Sequence, residues 1–584
     1  MNYREISEVR DGMRIDWDMP IKMDDGVVLR CDIFRPTTEG KYPVILTMGP
    51  YGKWLHFDDL YSAQWKTMCE THPEVPTDST NKYQVWEVVD PEKWVPDGYV
   101  VVRVDSRGAG RSQGVIDIWS LREAKDLAIC VDWAGVQPWS NGKVGLNGIS
   151  YFGQNQWQCA ALQPKHLAAM IPWEAAADFY RDMAHHGGIF NRGFVQDWSK
   201  SQVYSVQNGR GTRGFRSRLT GDWVSGPETL TDEELGANRR DFYTDCISHK
   251  LDTDEFWQSR MPDWSKVKTP FLSAANWGGQ GLHPRGNFEA FTRAAASQKW
   301  LEVHGIEHWT HFYTNYGLAL QKKFMGHFLK GEKTGWENMP KVLLQVRHPG
   351  EKFVERHENE WPLARTRWTD FHLHPDSMTL STTAYAGKAQ VLAYEAMGDG
   401  LTFMSAPMTA PTEITGPSAL KIHLSSATTD ADVFAVLRVF DPQGTEVVFQ
   451  GALDPHNPIS LGWLRASHRK LDPAKSLPYR PYHTHDEKQP LTPGQVVELD
   501  VEIWPTCIVI PRGYRVAISI RGRDYEWSGP AATLSNMKNP MKGCGPFVHD
   551  DEQDRPPAIF GGQVSLHFGG DRVTRLLLPV IPEK

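Results

Sequence analysis

The chain has 584 residues, 40% of them hydrophobic and 23% charged, with a formal net charge of -8. A chain this long exceeds what one hydrophobic core fills, so two or three domains are expected. The negative balance, without long basic runs, speaks against nucleic acid or an anionic membrane surface as the main partner, and no run of about 18 apolar residues marks a membrane span.

The amino-terminal "MNYREISEVRDGMRIDWD" lacks the basic start and apolar core of a signal peptide, so a cytoplasmic location is expected. The 7 cysteines are scattered and never form CxxC pairs, which argues against a disulfide framework or a thiolate zinc site.

In chain order, "IKMDDGVVLRCDIFRP" alternates around Asp25-Gly26 and predicts a leading antiparallel hairpin. The apolar runs "YPVILTM" (42–48), "YVVVRVD" (99–105), "KVGLNGIS" (143–150) and "HLAAMIPWE" (166–174) suit strands buried on both faces. Between the second and third, Ala124, Leu127, Ala128, Val131 and Ala134 recur at helical spacing. Strands alternating with helices predict an α/β domain with a mostly parallel sheet.

From 175 to 264 the text turns polar, aromatic and helical and reads as an inserted cap. "TPFLSAANW" and "KWLEVHGIEH" then resume the strand pattern, and "HFYTNYGLALQKKFMGHFLKG" predicts a closing helix. The expected division is therefore an α/β domain over 1–174 and 265–340, a helical cap over 175–264, and a β-sandwich over 341–584 of jelly-roll type. Short alternating runs from "PKVLLQVRH" to "RVTRLLLPVI" carry that last expectation.

The stretch "LNGISYFGQ" sets Ser150 directly after a predicted strand and before a helix-compatible run, with Gly148 and Gly153 beside it. That is the context of a nucleophile elbow, although the second glycine stands one place later than in G-x-S-x-G. A polar residue in a structural loop is the alternative. A base is expected on a loop after a late strand, and "LEVHGIEHWTHF" offers His304, His308 and His311 there. Those three could also converge on zinc, but no HExxH-type motif accompanies them. No metal and no cofactor are expected. "VDSRGAGRSQG" lacks the ending of a P-loop and reads as a tight loop at a strand edge; His185-His186 read as cap structure.

Together, "GPYGK", "VDSRGAGRSQG", "KVGLNGISYFGQNQW", "AADFYRD", "LGWLRASHRKLDP" and "PLTPGQVVELDVEIWPT" resemble the cocaine-esterase-like hydrolases and X-Pro dipeptidyl-peptidases, in order and over nearly the whole chain. The resemblance implies an α/β-hydrolase domain, a helical cap and a C-terminal jelly roll. It implies Ser150 as nucleophile, His308 as general base, and an oxyanion hole from the Tyr51 phenol and the Tyr151 backbone N–H.

The acid departs from the pattern, because Gly278 and Gly279 follow Trp277 where family members carry an aspartate-bearing motif. Glu174, at the end of the strand after the elbow helix, is the best-placed substitute; lining the cap entrance is its alternative role. Asp178 reads as structural, and Glu307 is too close to His308 in sequence to face it.

Trp277 and His283 are expected to line an apolar substrate pocket. The expected activity is hydrolysis of a carboxylic ester of a small to medium, apolar or aromatic compound. An amidase or peptidase on small acylated amines is the alternative, and the missing aspartate also permits an inactive scaffold or binding protein. The β domain is compatible with closing the site and with a homodimer.

Overall fold

The computed structural model describes residues 3–227, 229–532 and 540–582. The N-terminal half forms an eleven-stranded sheet. Its strands are β1 (Ile6–Arg10), β2 (Met13–Lys22), β3 (Val28–Pro36), β4 (Tyr42–Gly49), β5 (Val100–Asp105), β6 (Ser140–Ile149), β7 (Leu167–Trp173), β8 (Phe271–Asn276), β9 (Lys299–His304), β10 (Val342–His348) and β11 (Lys352–Glu358).

They lie in the order β1-β2-β3-β5-β4-β6-β7-β8-β9-β10-β11. The strands from β5 to β10 in that order run parallel, with antiparallel hairpins at both edges. Valine-rich β5 is buried at every residue, as a strand covered on both faces must be. The helix Leu121–Gly135, capped by the Ser120 side chain on the Glu123 N–H, packs its apolar stripe against one face.

The run "PKVLLQVRH", read from sequence as the first of the β domain, instead extends the first sheet: Leu301 pairs with Val342 and Val303 with Leu344. A twelve-stranded, all-β sheet follows from Arg367 onward, with its own core around Leu420, Val433, Ile503 and Ile518. Between β7 and β8 the chain forms short helical segments, among them Phe179–Ala184, Arg192–Trp198 and Phe242–Ser248. Among the described residues no helix is long and apolar enough to cross a membrane.

The β domain is fastened to the first sheet by buried polar contacts. Arg347 donates to the carbonyl of Cys507 at 2.8 Å, to Thr506 Oγ1 at 2.7 Å and to the carbonyl of Ile459 at 3.1 Å. The loop at Gly451-Ala452 grips the first domain twice: Ala452 N–H donates to the carbonyl of Gly278 at 2.9 Å and its carbonyl accepts from the N–H of His308 at 3.0 Å.

Buried histidines fill the seam between the helical segments and the β domain. His186 Nδ1 meets His549 Nε2 at 2.8 Å and His468 Nδ1 meets His485 Nδ1 at 2.9 Å. Burial lowers His185 to about 4 and His483 to about 3, and drives His186, His468 and His485 well below the ordinary histidine value. A histidine kept neutral by the fold contributes its full stability above about pH 6.5 and loses about 1.4 kcal/mol per pH unit as the pH falls toward its folded value. Five such groups acting in the same direction make the fold sensitive to acid. Thermal unfolding followed by circular dichroism is therefore expected to show a midpoint that drops steeply between pH 6.5 and 4.5; a flat midpoint over that range contradicts this reading.

Candidate active site

Ser150 sits between β6 and the helix Tyr151–Ala161 with φ 56° and ψ -113°, a left-handed conformation that costs energy for a residue with a side chain. The turn is held from both sides: Ser150 N–H donates to the carbonyl of Trp173 at 2.9 Å, and Ile149 N–H to the carbonyl of Glu87 at 3.0 Å. Both flanking glycines are required by contact. A Cβ on Gly148 would stand 2.5 Å from Phe152 Cβ and 3.0 Å from the Glu87 carbonyl; one on Gly153 would stand 2.9 Å from the Trp173 carbonyl. The shifted second glycine thus serves helix-to-strand packing.

Glu174 follows β7 with φ 45° and is fully buried. Its Oε2 lies 2.6 Å from His308 Nδ1, and its Oε1 lies 3.0 Å from His304 Nε2 and 3.2 Å from the donating Nδ2 of Asn276. His304 Nδ1 in turn meets Glu302 Oε2 at 2.7 Å.

Burial would raise the Glu174 carboxyl, but His308 and His304 hold it far below the usual carboxylate range. Burial would likewise lower His308, but Glu174 and then Glu87 carry it up to about 9. His304, between Glu302 and Glu174, also rises to about 9 against its burial. The Glu174 carboxylate reaches His308 from the end of β7, two strands across the sheet from β9. Position 278 has no room for one: a Cβ there would meet the Cα of Gly451 at 2.5 Å.

The hydroxyl of Ser150 is bonded to His283, not to His308: Oγ and His283 Nε2 are 3.0 Å apart. His283, expected as a pocket residue, stands instead at the Ser150 hydroxyl, buried and stacked on His308 with ring centroids 4.8 Å apart and planes within 9°. The Nε2 of His308 faces Glu87 Oε1 at 3.2 Å. Glu87 carries no motif or periodicity that marks it in the sequence. It is buried on a left-handed backbone, φ 70°, and burial raises its carboxyl.

Glu174, His283 and His308 each offer a ligand atom, all within 4.8 Å of one another. Imidazole lone pairs lie in the ring plane, so two parallel stacked rings cannot aim at one ion. As it stands, the set fits acid–base use rather than a shared metal.

Tyr51 lies over the elbow, its ring 5.7 Å from those of Tyr151 and Phe152 and 5.2 Å from that of Trp86. Its oxygen accepts from Trp198 Nε1 at 3.1 Å, leaving its own proton available to a ligand. Burial, with Glu87 nearby, raises the phenol well above its ordinary value, so it stays neutral.

The loop carrying Tyr51 is anchored by Lys53, whose N–H donates to Asp105 at 2.7 Å and whose ammonium meets Asp18 and Asp32 at 3.0 and 3.1 Å. Asp105 belongs to the "VDSRGAGRSQG" loop, which also donates Arg111 N–H to it at 2.8 Å. The Tyr151 phenol is committed to Glu123 at 2.5 Å, whereas its backbone N–H opens the elbow helix, where no intrahelical acceptor exists.

Trp277, expected to line the substrate pocket, does not. Its side chain is fully buried with Phe288 and Trp361, and Nε1 donates to the carbonyl of Gln345 at 2.9 Å. It belongs to the core on the far face of the sheet, not to the site.

Residues 25–313 match the family model for the X-Pro dipeptidyl-peptidase (S15 family), and residues 334–543 match that for the X-Pro dipeptidyl-peptidase C-terminal non-catalytic domain. A CocE/NonD family hydrolase from Staphylococcus aureus is similar in structure, with a TM-score of 0.83 and 32% identity over 97% of this chain and 94% of that one. The cocaine esterase of Rhodococcus sp. is 24% identical over 576 residues, covering 86% of this chain and 90% of its own. The Xaa-Pro dipeptidyl-peptidase of Streptococcus gordonii is 20% identical over 594 residues, covering 90% of this chain and 74% of its own.

Proposed function

The chain belongs to the family of S15 X-Pro dipeptidyl-peptidases and CocE/NonD hydrolases, and from that premise we propose that it is a serine hydrolase cleaving carboxylic esters through an acyl-enzyme on Ser150. The observation that carries this reading is Ser150 on its strained turn, bonded to His283, which stacks on an imidazole, His308, backed by the buried Glu174 carboxylate.

In this scheme His308 takes the Ser150 proton as the oxygen attacks the ester carbonyl, and Glu174 stabilises the imidazolium that forms. The Tyr51 phenol and the Tyr151 N–H hold the oxyanion. The alcohol leaves with the proton from His308, and water repeats the sequence to free the acid. The contact between His308 Nε2 and Glu87 has to break before the base can serve Ser150.

Segment 175–264 acts as the cap and contributes Trp198 above Tyr51. The domain beyond the first sheet is read as a jelly roll that closes the site, and the rings of Tyr51, Trp86, Phe152 and Trp198 favour a small to medium apolar or aromatic substrate.

Esters are preferred over amides on electrostatic grounds. An imidazolium shared with two carboxylates is a weak acid, and an amine leaving group needs a strong one. Purified protein is therefore expected to hydrolyse p-nitrophenyl acyl esters at least about 10²-fold faster than dipeptidyl p-nitroanilides; the reverse order assigns it to the peptidases.

The pH profile gives a second readout. Because the base must be neutral, kcat/KM should rise with pH toward about 9, the value to which Glu174 and Glu87 carry His308. Glu87→Gln removes one of those carboxylates and should move that limb to lower pH. A limb that stays in place removes Glu87 from the tuning of the base.

A further inference from the structure

Two histidines stand at one serine, and their hydrogen-bond partners distinguish them. His308 is saturated: Nδ1 on Glu174 at 2.6 Å, Nε2 on Glu87 at 3.2 Å. His283 has Ser150 Oγ at its Nε2 at 3.0 Å, while its Nδ1, buried, has no hydrogen-bond partner among the described residues.

A neutral imidazole carries one proton. Placed on Nδ1, it would be a buried orphan N–H, the rarer and costlier kind of unsatisfied group; placed on Nε2, it is used, and only a bare lone pair is left over. The second tautomer is therefore favoured. In it His283 donates to Ser150 Oγ, and the hydroxyl proton of Ser150 is left free for His308. His283 then has no free lone pair toward Ser150 and cannot be its base. Burial and the neighbouring His308 charge push its protonation well below the ordinary range, so it stays neutral.

We propose that His283 is a catalytic hydrogen-bond donor to the nucleophile, placed to stabilise Ser150 Oγ as it leaves the acyl group. The inference rests on the serine-hydrolase reading above. In deacylation the bond between Oγ and the acyl carbon breaks and its electron pair moves to Oγ. His308 returns to that oxygen the proton it took from water, and the Nε2–H of His283 holds the oxygen's other lone pair while negative charge develops there. A donor aimed at developing charge acts mainly in the step where that charge forms. Here that step is release of the serine, since on attack the same donor only draws on the nucleophile's lone pair.

Stopped-flow hydrolysis of p-nitrophenyl acetate separates the two half-reactions. His283→Ala is expected to release about one equivalent of p-nitrophenol per active site in a fast burst and then turn over slowly, with deacylation reduced by about 10²-fold. His283→Gln places an amide N–H near the ring Nε2 and should recover most of the steady rate.

The proposal is overturned if His283→Gln abolishes the burst together with turnover, which would make His283 the base, or if His283→Ala turns over like the wild type. Ser150→Ala run alongside keeps the premise separate: a burst there refutes the serine-hydrolase reading itself. Circular dichroism of each variant confirms the fold, and the glutamine variant decides between donor and base even if the alanine variant is unstable.

Discussion

Ser150→Ala is expected to lower ester turnover by about 10⁶-fold while leaving the fold intact, because in the proposed scheme it removes the attacking atom. The side chain is not a packing element: Ser150 is only half-buried, and the left-handed turn is held by the Trp173 and Glu87 carbonyls, which bond backbone N–H groups that alanine retains. Residual hydrolysis should reflect the oxyanion donors and binding alone, about 10³–10⁴-fold over water. The measurement is initial-rate hydrolysis of p-nitrophenyl butyrate with circular dichroism as the folding control. Turnover within tenfold of wild type would mean that another group attacks the ester.

Glu174→Gln is expected to cost about 10⁴-fold in turnover, the loss typical of an orienting acid. Glu174 is bonded to both His308 and His304, so the amide withdraws the negative charge that stabilises two imidazolium ions and presents an N–H to one of them. His308 then loses its orientation and the support for its protonated state at once. Returning the acid to position 278 should not compensate: Gly278→Asp must displace the Gly451 backbone, which also carries the Ala452 carbonyl that fixes the His308 N–H. Rates for Glu174→Gln and for the pair Glu174→Gln/Gly278→Asp test this directly. A double variant that regains activity would show that the β-domain loop yields and that the acid's place is free to move.

Much of this arrangement is legible in the sequence because it depends on local pattern. Apolar runs mark β4 to β9, and the glycines around Ser150 mark a turn where backbone and helix meet closely. Glu174 is legible for the same reason, since it ends the strand next to the elbow strand. The position of Val342–His348 is not, because an apolar strand reads alike whether it extends one sheet or begins another.

Trp277 illustrates a neglected periodicity. Side chains alternate along and just past a strand, and with Asn276 directed at Glu174 its neighbour must face the opposite core. For His283 the available signal is Pro284, a favoured first helical residue that places His283 at the start of the helix Pro284–Arg293, on the same strand-end surface as Ser150. Glu87 leaves no such trace. It reaches His308 through a positive-φ loop whose course is set by contacts distant in sequence.

The claim that Ser150 is the nucleophile is tested most directly by treating the protein with a fluorophosphonate and locating the adduct by peptide mass spectrometry. A single stoichiometric adduct on Ser150, lost in Ser150→Ala, is the predicted result. A wild-type protein that hydrolyses esters yet takes up no label, or carries it on another residue, would contradict it.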